Sequence, residues 1–511
     1  MSRSRLLQRF VDSSHSLDIA VSDKRGSVSF AQLAESARTL AARIEREGLA
    51  GQRLALLAPP DRSWLVGFWA ALLAGGTVVP LSPLHPTREQ EFFVSESRAA
   101  ALLLAEPMTN AAPAGRRLVY SGDASDAAPA AAPRPDEEEE EEAIALILYT
   151  SGTTGKPKGV LLSHANVFES VLSLQEAWAV SPRDRLVHAL PLHHVHGISV
   201  ALLWAFLGGA HTEMLPRYDP ERVLAAAARS SVIMGVPTQH ARLVQWLDAL
   251  PDGTERARHL ESLRRQRLIT SGSAALPEKL GRRLQALSGQ YPLERYGMTE
   301  VGIVLGNPLH GERVPGSVGQ PLPRCRIRIV DETGRDAAPG QPGEIWIAAP
   351  SVFRGYDRDA NATRAAFTDG FFASGDTAVW TQAGHVKILG RTSVDIIKSG
   401  GYKLSALELE EHLRDHAWVS EVAVLGVPDE TWGERVVAVI VPSAALAGVA
   451  HDEAGERLRA WLKERIAAYK VPKQMLFWAE LPRNAMGKVQ KPALLAALGH
   501  GATSSPSMPR G

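Results

Sequence analysis

The sequence predicts an α/β protein with a large N-terminal domain of parallel or mixed sheets and helices, a β-rich segment, and a small α+β C-terminal domain. Three observations carry this expectation. Short apolar runs alternate with helical patterns from Ser29 onward, a glycine- and hydroxyl-rich loop follows one such run, and a second alternation begins after Gly390-Arg-Thr-Ser-Val-Asp395. At 511 residues the chain exceeds one ordinary core, so at least two domains are expected.

Ser29 is placed to cap a helix running to Ile44, because the apolar residues after it recur at helical spacing. Arg53-Leu-Ala-Leu-Leu-Ala58 then reads as a strand, Trp64 to Leu73 as a helix and Thr77-Val-Val-Pro80 as a strand. Residues 111–142 break the pattern and end in six successive glutamates, Glu137 to Glu142, whose mutual repulsion predicts a solvated, mobile loop. Ala143 to Leu148 reads as a buried strand, and Ser163 opens the next helix. Between them lies Tyr149-Thr150-Ser151-Gly152-Thr153-Thr154-Gly155-Lys156-Pro157-Lys158-Gly159-Val160. Its glycines let backbone approach a polyanion, and its hydroxyls and two lysines can meet one, so a triphosphate is the natural guest. This is not the Walker pattern: Gly152 and Gly155 stand too close together and no Gly-Lys-Ser/Thr follows. The bland alternative is a solvated turn.

Further on, Leu190-Pro-Leu-His193-His194-Val-His196-Gly197 bunches three histidines at a strand-to-helix corner, with no carboxylate or cysteine to complete a metal set. Leu268-Ile-Thr-Ser-Gly272-Ser273 is a strand ending in small residues against which an adenine can lie. In Leu293-Glu-Arg-Tyr296-Gly297-Met298-Thr299-Glu300, Tyr296 can stack on a purine, Thr299 can hold a phosphate oxygen, and the Glu300 carboxylate suits magnesium. Gly343-Glu-Ile-Trp-Ile, Phe353-Arg-Gly-Tyr356 and Gly370-Phe-Phe-Ala-Ser-Gly-Asp376 form the β-rich segment.

Composition excludes several classes. Lys plus Arg and Asp plus Glu both number 56, which favours neither a nucleic-acid binder nor an acidic scaffold. Cys325 is the single cysteine, ruling out an intramolecular disulfide and a Cys-rich zinc site. No apolar run approaches the ~18 to 20 residues of a membrane span. The basic start, Met1-Ser-Arg-Ser-Arg, can be read as an organelle presequence, but the domain pattern begins by Ile19. A cytoplasmic protein is expected, with the mitochondrial matrix as the alternative.

Taken together, the phosphate loop and the Tyr-Gly-Met-Thr-Glu motif resemble those of the adenylate-forming acyl-CoA synthetases. That family joins a carboxylate to ATP, releases pyrophosphate and passes the acyl group to a thiol. The resemblance implies ATP, Mg2+ and coenzyme A as cofactors and a mobile C-terminal lid. It places the nucleotide against residues 150 to 156 and Lys158, against Gly272, Ser273, Tyr296, Gly297, Met298 and Thr299, and against Asp376 (ribose hydroxyls) and Arg391 (ribose or phosphate). Metal contacts fall on Glu300 and Thr150. Lys488, in Asn-Ala-Met-Gly-Lys, would bridge the carboxylate and the α-phosphate, whereas Lys398 belongs to a second lid face on which Gly400, Gly401 and Tyr402 line the pantetheine path. Catalysis in this chemistry needs position and positive charge, so no nucleophilic side chain is assigned, and the catalytic residues are Lys488, Lys398, Thr299 and Glu300. The domains implied are 1–391, 392–498 and a disordered tail 499–511, with a hinge in Ser393 to Asp395.

Stretches from about residue 144 to 493, including Gly235-Val-Pro-Thr, Val314-Pro-Gly-Ser-Val-Gly and Gly390-Arg-Thr-Ser-Val-Asp-Ile-Ile-Lys, are similar to the malonyl-CoA synthetases in particular. Malonate leaves a second carboxylate in the acyl pocket, and a buried unpaired anion costs several kcal/mol, so a cation must meet it. Arg242, after the Val-Pro-Thr turn, can do so with two parallel bonds, and His196, which matches the family's acyl-pocket histidine, can add a donor. Ser273 and Met298 complete the acid's contacts, and methylmalonate is a further candidate. Arg242 can equally lie on a solvated helix face. Rival readings are a synthetase for a medium-chain or aryl monocarboxylate and an adenylation domain that loads a carrier protein.

Overall fold

The computed structural model describes residues 4–123, 137–150, 157–400, 402–483 and 489–499. Ser151 to Lys156, Gly401 and Lys488 lie outside the described residues, as do 124–136 of the expected loop and 500–511 of the expected tail. The chain forms two compact units. The first comprises Met1–Leu276, Leu280–Ile327 and Ile347–Phe372; the second comprises Pro277–Lys279, Arg328–Trp346 and Ala373–Gly511.

The first unit is built on two mixed sheets with helices. One has seven strands in the order Gly355–Tyr356, Lys158–Ser163, Ile144–Thr150, Thr77–Pro80, Arg53–Leu57, Ala101–Ala105 and Arg117–Tyr120. Its first three strands pair antiparallel in succession, and from Ile144–Thr150 onward the pairs are parallel, as for strands joined by crossover connections. Ser29 and Ser163 both form capping boxes, so the helices Phe30–Arg46 and His164–Trp178 begin where the sequence places them. Helix Arg62–Leu73 is buried on every side, which its nearly charge-free sequence allows, and Arg62 spends its guanidinium on Asp23 at 2.8 Å. The second sheet has nine strands. Its parallel strands Val232–Gly235, Leu268–Ser271 and Leu293–Met298 bring three motif-bearing C-terminal ends together, the edge at which open α/β sheets bind ligands.

The glutamate run corrects an expectation. Glu137–Glu142 is helical, not a solvated loop, and Arg117–Tyr120 within the same stretch is a strand. Like-charge repulsion is offset by donors from a distant part of the chain. The amide of Ser4 donates to Glu140 at 2.5 Å, and Arg5 reaches Glu141 at 3.0 Å and Glu169 at 2.6 Å, leaving Glu140 5% exposed.

In the second unit, Tyr402–Ser405, Ile396–Ser399, Gly433–Pro442 and Val419–Asp429 form an antiparallel sheet, with Gln474–Phe477 added parallel to Gly433–Pro442. Leu409, Leu413, Val424, Val436, Leu458 and Leu462 make its core. Lys491 is sunk beside this core and neutralised by Asp395 at 2.6 Å and Glu410 at 2.8 Å. A hairpin earlier in the unit pairs Asp376 directly with Arg391.

Candidate active site

In the first unit, the strands on either side of the phosphate loop pair antiparallel and set Thr150 opposite Lys158. The Lys158 ammonium lies 4.9 Å over the Tyr356 ring, and the Tyr356 hydroxyl donates to Glu300 Oε1 at 3.1 Å. Thr150, Lys158 and Glu300 are therefore brought into one neighbourhood, with Tyr356, to which sequence reasoning gave no role, as the link. Met298 accepts a turn hydrogen bond from Val301, and Tyr296, Gly297, Met298 and Thr299 are partly exposed along the same strand end. Gly297 has a reason within the fold: a Cβ there would lie 1.9 Å from the Gly302 carbonyl of the partner strand.

A second cluster sits at the ends of Leu268–Ser271 and Leu293–Met298. His196 opens a π-helical segment, His196–Leu203, and its Nδ1 is 3.2 Å from Ser273 Oγ; such widened turns recur at functional sites. Ser273 has φ 68°, a left-handed conformation that non-glycine residues seldom adopt and that functional sites over-represent. Next to it, Gly272 is small for a specific reason: a Cβ would fall 2.3 Å from the Arg295 guanidinium.

Arg295 is the residue that sequence reasoning missed. It is 5% exposed, and its Nε and Nη2 are buried with no hydrogen-bond partner among the described residues. Burial lowers its pKa to about 9, so it remains a cation at neutral pH. The same burial, reinforced by that cation, holds His196 well below its ordinary pKa, and the imidazole is neutral. The cluster thus places a buried positive charge beside a neutral imidazole and a hydroxyl, with no carboxylate paired to that charge among the described residues. A signal for Arg295 was available: strand alternation puts it on the same face as Leu293, which is wholly buried in the core. Arg242, by contrast, is exposed on helix Pro237–Ala249, off the buried stripe of His240, Leu243, Val244 and Leu247, and lies 5.2 Å over the Tyr218 ring. His193 and His194 meet at a tilt with ring centroids 4.0 Å apart, and His193 meets His85 edge-on at 4.9 Å.

In the second unit, Arg391 Nε lies 3.1 Å from Asp376 Oδ1, and Arg391 also donates to the Ser374 carbonyl at 2.6 Å. The two residues expected to meet the ribose are therefore adjacent. Lys398 is exposed on Ile396–Ser399, and Gly400 donates to the Trp432 carbonyl at 2.9 Å. Tyr402 is half exposed and stacked on Tyr469 at 4.2 Å, leaving an accessible aromatic surface.

Comparison with known proteins identifies the family. Residues 8–357 match the AMP-binding enzyme family, and 408–488 match the AMP-binding enzyme C-terminal domain. The mouse protein named malonate–CoA ligase ACSF3, mitochondrial, is 39% identical, covering 94% of this chain and 88% of the relative. The Arabidopsis thaliana malonate–CoA ligase is 36% identical over 88% of this chain and 78% of its own. Among solved structures, ATP-bound MatB from Rhodopseudomonas palustris superposes with a TM-score of 0.85 at 33% identity, covering 97% of this chain and 99% of that one. A malonyl-CoA ligase ternary product complex with methylmalonyl-CoA and AMP gives 0.67 at 34% identity, covering 93% and 99%. With both family regions matched in order and relatives aligned over nearly the whole length, the chain belongs to the AMP-binding enzymes, the adenylate-forming CoA ligases.

Proposed function

We propose that this protein joins malonate to coenzyme A by way of a malonyl-adenylate, releasing pyrophosphate and then AMP. The observation that carries the choice of acid is Arg295. A monocarboxylate site has no use for a buried guanidinium with two nitrogens unpartnered among the described residues, whereas the distal carboxylate of malonate would complete it with two charge-assisted bonds. His196, neutral, and Ser273 offer further hydrogen bonds, Met298 packs against the acid, and Arg242 adds positive potential from its exposed helix. Methylmalonate fits the same reading, since one methyl alters pocket energy by only ~1 to 3 kcal/mol.

Thr150, Lys158 and residues 151 to 156 cradle the triphosphate, Tyr296 and Gly272 face the adenine, and Asp376 with Arg391 takes the ribose. Magnesium fits the oxygen donors present, because it is commonly held by one or two carboxylates together with substrate phosphates. Glu300 would supply the carboxylate and Thr150 a hydroxyl, and the ion would neutralise charge on the phosphate oxygens. The attacking carboxylate and the α-phosphate repel one another, so Lys488 is assigned to bridge them. For thioester formation, residues 392–498 turn against 1–391 and present Lys398, Gly400, Gly401 and Tyr402 to the pantetheine. No described helix is long and apolar enough to cross a membrane. A reducing compartment is proposed, the cytosol or, in line with the mouse and human relatives named as mitochondrial, the mitochondrial matrix.

A panel of malonate, methylmalonate, succinate, acetate and octanoate, each with ATP, Mg2+ and coenzyme A, tests this. Pyrophosphate release should be fastest with malonate. A preference for octanoate or acetate would refute the assignment of the acid, and release that does not depend on free coenzyme A as acceptor for turnover would favour a carrier-loading domain.

A further inference from the structure

The segment from Ser351 to Asp357 is given no chemistry by the reading above, yet it grips both halves of the phosphate site. The Ser351 hydroxyl donates to the Val301 carbonyl at 2.7 Å, and the Phe353 amide donates to the Glu300 carbonyl at 2.8 Å, so the backbone is held on both sides of the carboxylate. Gly355 and Tyr356 pair antiparallel with Leu161 and Val160 on the strand that leaves the phosphate loop. The Asp357 amide extends this pairing to the Gly159 carbonyl at 2.7 Å, and its carboxylate is clamped by Arg53 at 2.8 and 2.9 Å. From this fixed position the Tyr356 side chain reaches two ways: its hydroxyl to Glu300 Oε1, and its ring face to the Lys158 ammonium. The ring also packs edge-on against Phe353 at 4.9 Å. Packing alone would be served equally by phenylalanine. The hydroxyl aimed at the carboxylate is what packing does not require.

We propose that Tyr356 is a positioning residue for MgATP: its hydroxyl sets the orientation of the Glu300 carboxylate toward the metal, and its ring holds Lys158 at the exit of the phosphate loop. This rests on the reading of the site as one for MgATP. A carboxylate with one oxygen already engaged by a fixed donor loses less rotational freedom on meeting a cation. A lysine whose ammonium rests on an aromatic face likewise gives up fewer rotamers on meeting a phosphate.

The test is equilibrium binding of ATP, followed by calorimetry across a magnesium titration, with Mn2+ binding to the ATP complex counted by electron paramagnetic resonance. Tyr356→Phe keeps the ring. It should leave the affinity for metal-free ATP unchanged while lowering the enhancement by Mg2+, and the affinity for Mn2+, by about ten- to 150-fold, the weight of one hydrogen bond to a charged group. In a Glu300→Gln background the same substitution should have no further effect. Tyr356→Leu should also weaken metal-free ATP, as should Lys158→Met, and the two losses should not add. An unchanged metal dependence in a Tyr356→Phe protein of normal thermal stability overturns the proposal, and so does an effect that persists in Glu300→Gln. Should the unaltered protein bind ATP equally well with and without Mg2+, the MgATP reading itself fails first.

Discussion

Replacing Arg295 by methionine removes the charge while keeping an unbranched, apolar filling for its volume. In the bound complex the substitution leaves the distal carboxylate of malonate desolvated and without its partner, a situation that costs ~2 to 5 kcal/mol. At 1.36 kcal/mol per decade this is roughly a 30- to 5,000-fold fall in kcat/KM for malonate. Acetate carries no second carboxylate, so its kcat/KM should change by no more than a few-fold, and the malonate-to-acetate ratio should collapse. The free protein should respond in the opposite sense. Arg295 is buried with two guanidinium nitrogens unpartnered among the described residues, so its loss removes a desolvation cost, and the melting temperature without ligand should hold or rise. Continuous pyrophosphate detection gives the ratio, and calorimetric melting gives the stability. A ratio that survives Arg295→Met, or an apo protein that melts well below the unaltered one, would refute the assignment.

Gly272→Ala should act through the same residue, because the new methyl would fall 2.3 Å from the guanidinium; malonate kcat/KM should drop at least tenfold, and steady-state kinetics against both acids will show whether the drop is selective. Lys488→Ala should abolish adenylate formation while sparing thioester formation from supplied malonyl-adenylate, with Lys398→Ala showing the converse; equal loss of both half reactions in either variant would remove the two-face assignment. Burial lowers the pKa of both His164 and His188 to about 4. Below the unfolded value of ~6.5 the unfolded chain takes up protons that the folded one refuses, so stability is lost as pH falls. These two residues alone should remove roughly 2 kcal/mol between pH 6.5 and 5.5, measurable by urea titration, and a flat profile would contradict their burial in the neutral form. Glu140→Ala strips the acceptor from the buried Ser4 amide, which should cost ~1 to 3 kcal/mol of stability with specific activity retained; an unchanged urea midpoint would mean the acidic helix is not held from the N-terminus.

What could be read from the chain depended on whether the determinant was local. Ser29 and Ser163 cap the helices they were expected to cap, because a capping box is written within four residues. Glu300 and Lys158 were legible as chemistry because a carboxylate and a lysine in glycine-rich turns have few structural uses. The Glu137 to Glu142 run was misread because its partners, Ser4 and Arg5, lie more than a hundred residues away, and composition carries no trace of them. Arg295 was not singled out, for a related reason. That its Nε and Nη2 have no partner among the described residues follows from how the guanidinium packs over Gly272, which follows the end of the neighbouring strand, and that packing is not visible in Leu-Glu-Arg-Tyr. Tyr356 was read as framework because its hydroxyl meets Glu300 only after Gly355–Tyr356 has paired with the strand leaving the phosphate loop.

The decisive observation is where the second carboxylate of the acid goes. A crystal structure with malonate and a non-hydrolysable ATP analogue should place that group within about 3 Å of the Arg295 guanidinium nitrogens, in a two-pronged contact. Malonate seated with both carboxylates away from Arg295, or a guanidinium that has swung out to solvent with the acid bound, would contradict the account.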